Sequence, residues 1–424
     1  MQVADAQCSV PHSAGASTIL VLSQVYVPDH AAVGQCMHDA AAELVRRGNQ
    51  VDVLTSQRGY EDPTCKYPSR ETLDGVRIRR LPLSSFGKSS IMARLIGGLL
   101  FVAQCIIVGL FTRRLGAILV STSPPMCPLA ALVVGRIRRV PVKYWAMDLN
   151  PDQLVVMGKI AKTSPFVRAF NLLNRATLKH SENVIALDTC MARRLNAKVD
   201  ISDKTIVMPP WTHADAERPP IAHEENPFRK KHQFGDRIVI MYSGNISPSH
   251  PITTIIDAAV KLQDTPEFLF VFIGGGLGRA SIEEAIRCHQ LKNVLLLPYQ
   301  PLDQIQFSLS AADVHLVSVG NDMVGIVHPC KVYGAMAVGR PILLLGPRQS
   351  HVGEILDQAD VGWQISHGDV HGAVAALHKI RLLSISEREL IGQNAQRLVR
   401  EKFDPQRLKS QFCEVVEHGL SRAA

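Results

Sequence analysis

Three segments in the second half of the chain have residue types suited to holding a phosphorylated ligand. RIVIMYSGN ends in Gly244-Asn245, and a helical pattern opens near Pro251. FLFVFIGGG ends in Gly274, Gly275 and Gly276 and again runs into a helix. Glycine at such a place lets an anion reach the free N–H groups of the following helix, where the helix dipole also favours negative charge. Glycines at strand ends can equally do no more than turn the chain; two such loops in succession on one sheet edge argue for the ligand. The third segment, VGIVHPCKVYGAMAVGRPIL, puts Gly325 before a proline-initiated helix and Lys331 in that helix's first turn. A lysine there opposes the dipole. Either an anion such as a diphosphate offsets it, or Lys331 is a surface residue.

Other chemistries lack their signatures. GGGLGR has Arg279 where a dinucleotide fingerprint needs its third glycine. SFGKSS (Ser85–Ser90) mimics the end of a phosphate-binding P-loop, but Pro82 stands where the opening glycine belongs. No D-x-D, H-E-x-x-H or G-x-S-x-G occurs, so neither a divalent-metal site nor a hydrolase elbow is expected. His367 and His371 are four apart, but GDV between them indicates a loop-to-helix turn with solvated imidazoles. The nine cysteines are scattered, odd in number and without a C-x-x-C pair. That argues against a disulfide framework or structural zinc and for a reducing cytoplasm. The net charge of +8 admits nucleic acid, an anionic membrane face or phosphorylated ligands. The basic residues come as dispersed pairs without interleaved aromatics, which sets nucleic acid aside.

The elements that must position these residues follow from periodicity. A chain of 424 residues with 46% apolar and 20% charged side chains is ordinary globular material, long enough for two domains. Residues 1–17 have neither a basic nor an apolar signal region and are expected to form a disordered lead. From Thr18 to residue 210, β-branched runs alternate with amphipathic helices, the pattern of a parallel sheet covered on both faces. Residues 211–236 are polar and proline-rich and are expected to connect two domains. The alternation restarts over 237–400, and 401–424 forms a helical tail. The fold class is therefore α/β, two doubly wound Rossmann-like domains facing across a cleft, which is the default ligand site. Leu95–Phe111 is almost wholly apolar and at the short limit for a spanning helix. Its flanking strands should share one sheet, so a single pass is excluded. It is either a buried connection or a surface helix dipping into a membrane, with Lys88, Arg94 and Arg113-Arg114 meeting anionic headgroups.

The ordered set YSGN, GGG, LPYQPL, AADVHLV and HPCKVYGAMAVGRPIL resembles the nucleotide-sugar half of family 4 glycosyltransferases, which have the GT-B fold. The first half agrees: SQVYVPDHAAVGQCMHDAAAELVRRGNQVDVLTSQRGY, YWAMDLNPDQ and VMPPW resemble the bacterial polysaccharide branch related to colanic-acid and fucosamine transferases. The resemblance implies transfer of a sugar from a nucleoside diphosphate donor, with retention and without a metal or other cofactor. It also implies a C-terminal helix that crosses back to the first domain. By this resemblance Pro298, Tyr299 and Gln300 line the base, and Gly244, Asn245 and the backbone of Gly274–Gly276 face the diphosphate. Gly325 and Ile326 offer main-chain N–H groups, and Tyr333 lies at the donor. Gly34 closes the cleft, and Gln24 and Lys88 lie on the acceptor side. Asp148 sits under the sugar, or else serves as a turn or helix cap before Pro151.

The sequence departs from the family where charge is handled. No glutamate occurs from Asn321 to Arg340, and Gly334 stands in place of the ribose-binding one. The basic residues that relatives carry after the YxG strand are replaced by Asn245 and, nearby, His250. A departing diphosphate gains most from fixed cations and dipoles, and Lys331 is the preferred substitute, ahead of Arg279 and His250. The expected acceptor is a lipid-linked oligosaccharide in exopolysaccharide or O-antigen assembly, with Lys88 near a lipid phosphate. Two alternatives are a non-hydrolysing nucleotide-sugar epimerase and an inactive GT-B partner subunit.

Overall fold

The computed structural model describes residues 17–29, 31–59, 64–84 and 91–420, with only the backbone of 91–94. Residues 1–16 of the expected lead, Lys88 and the Arg94 side chain lie outside the described residues. The first domain runs through β1 (Thr18–Leu22), α1 (Ala32–Arg46), β2 (Gln50–Ser56), β3 (Arg70–Leu73), β4 (Val76–Leu81), α2 (Ile91–Leu110), β5 (Leu115–Ser121), α3 (Cys127–Arg138), β6 (Val142–Ala146), α4 (Asp152–Val156), α5 (Pro165–His180), β7 (Asn183–Ala186), α6 (Thr189–Lys198) and β8 (Thr205–Val207). The second runs through α7 (Pro227–Lys231), β9 (Ile238–Ser243), α8 (Thr253–Lys261), β10 (Phe268–Ile273), α9 (Arg279–His289), β11 (Val294–Leu297), α10 (Ile305–Ser310), β12 (Val314–Ser318), α11 (Lys331–Ala337), β13 (Ile342–Leu345), α12 (His351–Gln358), β14 (Gly362–Ile365), α13 (Val370–Leu382), α14 (Ile385–Lys402) and α15 (Pro405–Glu417).

The strands form two sheets, β3-β4-β2-β1-β5-β6-β7-β8 and β11-β10-β9-β12-β13-β14. Every described pairing is parallel except β3 with β4. Fully buried runs such as LGAILVS in β5 and VHLVS in β12 fit strands covered on both faces. In each sheet the winding reverses once, between β1 and β5 and between β9 and β12. Ligands bind doubly wound sheets at the carboxyl ends of the strands at such reversals.

Three features differ from or refine the sequence expectations. β3 is an antiparallel edge strand, joined to β4 by Asp74 (φ 50°) and Gly75 (φ 77°). Left-handed φ at both central residues is the twist-matched hairpin turn that Asp-Gly favours. The expected connection at 211–236 is divided between the two domains. Trp211, Ala214 and Ala216 belong to a core shared with the first domain, whereas Phe228 and Phe234 pack beneath Val239 and Met241 of β9. The tail crosses back as the resemblance implies: Phe412 of α15 packs on Trp145 at 4.3 Å, and Arg47 pairs with Glu417 at 3.0 Å. Lys143, fully buried, completes this attachment by donating to Asn183 Oδ1 at 2.6 Å and the His418 carbonyl at 2.7 Å, with Glu182 at 3.0 Å.

α2 is only in part the buried connection expected of Leu95–Phe111. Phe101, Val102 and Cys105 are buried in the core of the first domain, while Ile96, Leu99, Ile107 and Phe111 are exposed. It is a surface helix with one apolar face covered and another in water. Arg138 of α3 caps its C-terminal end, donating to the carbonyls of Leu110 at 2.6 Å and Thr112 at 2.9 Å. Among the described residues no helix is long and apolar enough to cross a membrane.

Candidate functional site

The site is assembled where β9 and β10 end side by side. Ser243 is in register with Ile273, so Gly244 and Gly274 follow as neighbours. Both adopt positive φ, 134° and 137°. A Cβ on Gly274 would stand 2.2 Å from the Gly244 carbonyl oxygen, so only glycine permits this approach. The amides of Gly244 and Gly274 donate to Ile273 and Leu297 and so belong to the sheet. Those of Asn245, Gly275 and Gly276 have no hydrogen-bond acceptor among the described residues. The Asn245 carbonyl is fixed by the buried Tyr242 hydroxyl at 2.7 Å. The ring of Tyr299 lies over the Gly274-Gly275 backbone, 3.2–3.3 Å from where their Cβ atoms would stand. Pro298 is exposed beside it, its carbonyl accepting from Gln300 Nε2 at 2.8 Å.

Lys331 opens α11 and reaches back under this surface. Its ammonium lies 4.6 Å from the centre of the Tyr242 ring, and its Cε would be 3.2 Å from a Cβ on Gly244. No carboxylate among the described residues pairs with it. The ring face partly compensates the cation, and the glycine loops leave its approach open.

The other two candidate cations are occupied or uncharged. Arg279 donates to Glu283 at 2.8 Å and to the Gly274 carbonyl at 3.1 Å, so it braces the glycine loop. His250 binds the Ser318 carbonyl through Nδ1 at 2.7 Å, which makes that nitrogen the protonated donor. Burial first and the Lys331 cation second push its pKa down to about 3, so it is neutral at physiological pH.

Asp148 follows β6 on the opposite wall. Its N–H donates to Thr122 Oγ1 at 3.2 Å, and its side chain opens to the cleft without a hydrogen bond or ion pair among the described residues. The surrounding protein mass still removes enough water to push its pKa up to about 6. It is not the cap of α4, whose N-terminal flanking residue is Pro151. Cys330 is close enough that the Asp148 charge, after burial, helps push its thiol up to about 12. Asp148 therefore lies near Cys330, the residue before Lys331.

Several expected site residues are placed elsewhere. Ile326 is buried, its N–H donates to the Met323 carbonyl and its own carbonyl accepts from Leu149 N, both at 2.9 Å. It offers no N–H to a ligand. Gly325 (φ 70°) faces the first domain: a Cβ there would stand 2.6 Å from the Cys190 carbonyl oxygen. Tyr333 is buried behind the cleft between His328 and His351. Gly34 is buried in the first turn of α1, with its N–H on Ala31, and seats that helix against the Tyr26 backbone. The Gln24 amide donates to the Ser84 carbonyl, tying together the loops after β1 and β4 instead of facing an acceptor. The buried pair His328–Asp188 has no local sequence signal, since its members are 140 residues apart; Asp188 also caps α6.

Two family models match the chain. One described as Glycosyl transferase 4-like domain covers residues 31–211, and one described as Glycosyl transferases group 1 covers 224–398. The chain is 24% identical over 361 residues to a protein of Escherichia coli K12 named as the colanic acid biosynthesis glycosyl transferase WcaI, covering 80% of this chain and 86% of that one. It is 25% identical over 262 residues to a protein of Pseudomonas aeruginosa named as the glycosyltransferase WbjE. That match spans 60% of this chain and 65% of WbjE, just under two thirds of the relative's length. Among solved structures, Anabaena HepE in complex with UDP and glucose superposes with a TM-score of 0.70 at 16% identity, covering 94% of this chain and 99% of that one. WaaG, a glycosyltransferase involved in lipopolysaccharide biosynthesis, gives 0.70 at 15% identity, covering 94% of this chain and 100% of that one. These likenesses establish the shared fold.

Proposed function

We propose a reaction from one premise: the chain belongs to the family 4 glycosyltransferases. It moves a sugar from a nucleoside diphosphate donor to an acceptor hydroxyl, with retention of anomeric configuration, in the assembly of a bacterial polysaccharide. The observation that carries this is the meeting of three groups at the carboxyl edges of both sheets. They are the open amides of Asn245, Gly275 and Gly276, the unpaired-by-carboxylate Lys331 ammonium, and Asp148 across the cleft. The polysaccharide role is drawn from the names of WcaI and WaaG.

In this reaction the base lies by Tyr299 and the diphosphate on the glycine loops. The bond from the anomeric carbon to the diphosphate breaks. The acceptor oxygen joins the same face of that carbon, and its proton passes to the departing diphosphate. Lys331 takes the charge growing on the leaving group, the largest electrostatic demand of the step. Asp148, ionised above about pH 6, offsets positive charge at the anomeric centre. We propose no resident metal or other cofactor, since the lysine and amides supply the charge. An epimerase or an inactive partner subunit is not favoured by two halves that both match glycosyltransferase models.

The acceptor proposed is a lipid-linked oligosaccharide at the inner face of the cell membrane. The exposed Ile96, Leu99 and Ile107 of α2 and Phe111 just after it, beside exposed Arg113 and Arg114, suit shallow insertion among anionic headgroups. A thermal-shift screen against nucleotide sugars tests the donor, because the right one stabilises the fold by mass action. Transfer to a lipid-linked acceptor with that donor supports the proposal. Isomerised free donor without transfer, or no stabilisation by any nucleotide sugar, refutes it.

A further inference from the structure

Behind the cleft, the segment leading to Lys331 is fastened to the first domain at several points. Arg194 of α6 donates to the carbonyls of Val324 and, at 3.4 Å, Asp322. Gly325 lies against the Cys190 backbone, and Leu149 N donates to Ile326 O at 2.9 Å. The innermost fastening is His328 Nδ1 to Asp188 Oδ2 at 2.6 Å, with both side chains almost fully buried. Asp188 also accepts from Met191 N at 2.7 Å as the cap of α6. On its other side, His328 Nε2 meets the Tyr333 hydroxyl at 2.8 Å, which meets His351 Nε2 at 2.7 Å. Thr189 of α6 closes the outer edge by donating to Glu354 at 2.7 Å.

Two halves of His328 thus face two different domains. Nδ1 faces the first domain through Asp188; Nε2 faces the second through Tyr333. Burial alone would raise the Asp188 carboxyl, but the bond and charge of His328, the nearby His351 and the Met191 N–H together hold it below its ordinary value. With Asp188 a carboxylate, His328 must donate through Nδ1 in every proton arrangement of the chain, whether Tyr333 donates to Nε2 or accepts from it. Parting the domains here breaks a short charge-assisted hydrogen bond, so separation is disfavoured.

We propose that His328 is a positioning residue: by bonding Asp188 across the domain boundary it holds the domains closed and fixes the segment 322–330 that sets Lys331 at the glycine loops. It touches no substrate. Its effect on sugar transfer rests on the proposed function; its effect on closure does not.

The two halves are separable by substitution. His328→Asn keeps a donor near the Nδ1 position and loses the contact to Tyr333; His328→Gln reaches toward Tyr333 and loses the bond to Asp188. Small-angle X-ray scattering of the full-length, ligand-free chain reads closure directly. His328→Gln and Asp188→Ala are expected to shift the radius of gyration upward, with the closed-to-open ratio falling about 5- to 150-fold, the usual range for coupling between sites. His328→Asn is expected to stay near wild type. A core-packing role alone would move Asn and Gln variants alike, and equal radii for both, expanded or not, overturn the proposal. Because a buried variant can fail to fold, Arg194→Gln on the outer part of the same clasp supplies a second test. It keeps the His328–Asp188 bond and is expected to stay near the wild-type radius, and an expanded radius in that variant overturns the proposal. No substrate enters these measurements, so failure of the transfer assay and failure here are distinguishable. Where transfer is measurable, His328→Gln lowers kcat more than it raises the donor KM, and His328→Asn restores it.

Discussion

Replacing Gly274 with alanine tests whether the two glycine loops form one ligand floor. The added Cβ would stand 2.2 Å from the Gly244 carbonyl oxygen and 2.9 Å from its carbon, at a φ of 137°. Reaching even 3.0 Å from the oxygen requires the loops to part by about 0.8 Å, and the neighbour is backbone, which cannot swing aside. Backbone strain at such a φ costs about 1–3 kcal/mol, and overpacking a tight contact about 1–3 kcal/mol more. A total of roughly 2–6 kcal/mol lowers the melting temperature of a domain this size by roughly 4–24 °C. The assay is calorimetric unfolding of the full chain, together with titration of UDP and other nucleoside diphosphates. Gly235→Ala is the control, since it also has positive φ (57°) but nothing within 4 Å of its Cβ. The Gly274 variant should melt well below the control and lose nucleotide affinity. Melting equal to the control with wild-type affinity would refute the close contact and the floor built on it.

Three further outcomes are expected. Lys331→Ala should weaken nucleoside diphosphate binding by about 10- to 150-fold, the worth of one charge-assisted contact, and leave free nucleoside unaffected; isothermal titration checks both. Asp148→Asn should abolish transfer, while wild-type kcat should rise with pH through about 6 as the carboxyl ionises. The raised folded pKa means the folded state binds the proton more tightly than the unfolded chain. Stability therefore falls as pH rises from about 4 through about 6, and Asp148→Asn should melt higher than wild type above that window but not below it. A stability gap that is the same at pH 3.5 and pH 8 contradicts this assignment. Leu99→Asp, at a side chain 49% exposed, should keep the wild-type melting temperature yet reduce partition onto anionic liposomes in a salt-dependent way; unchanged partition sinks the membrane face.

The doubly wound halves were legible because buried parallel strands announce themselves as runs such as AILVS and FLFVFI, and strand ends at YSG and GGG locate the carboxyl edge of the second sheet. Lys331 also stands in a helix's first turn as its local pattern predicts. What escaped was long-range. Ile326 is the local exception: it looks like a free loop amide, but its N–H closes a turn on the Met323 carbonyl. Tyr333 and Gln24 carry polar groups suited to a ligand, yet His328 and Ser84 claim them through tertiary contacts no periodicity encodes. His250 could not be separated from a cation by residue type; its burial beside Lys331 makes it neutral. β3 was missed despite its Asp74-Gly75 turn, because a short, exposed, charged edge strand lacks the apolar run that marks its neighbours.

The central claim is that a nucleoside diphosphate sugar sits between the glycine loops and Lys331. A crystal structure of the chain with a stabilising nucleotide sugar tests it most directly. The expected result is a diphosphate on the amides of Asn245, Gly275 and Gly276, within hydrogen-bond reach of Lys331 Nζ, with the base beside Tyr299 and the sugar toward Asp148. A nucleotide bound elsewhere, or a diphosphate that Lys331 does not touch, would contradict it.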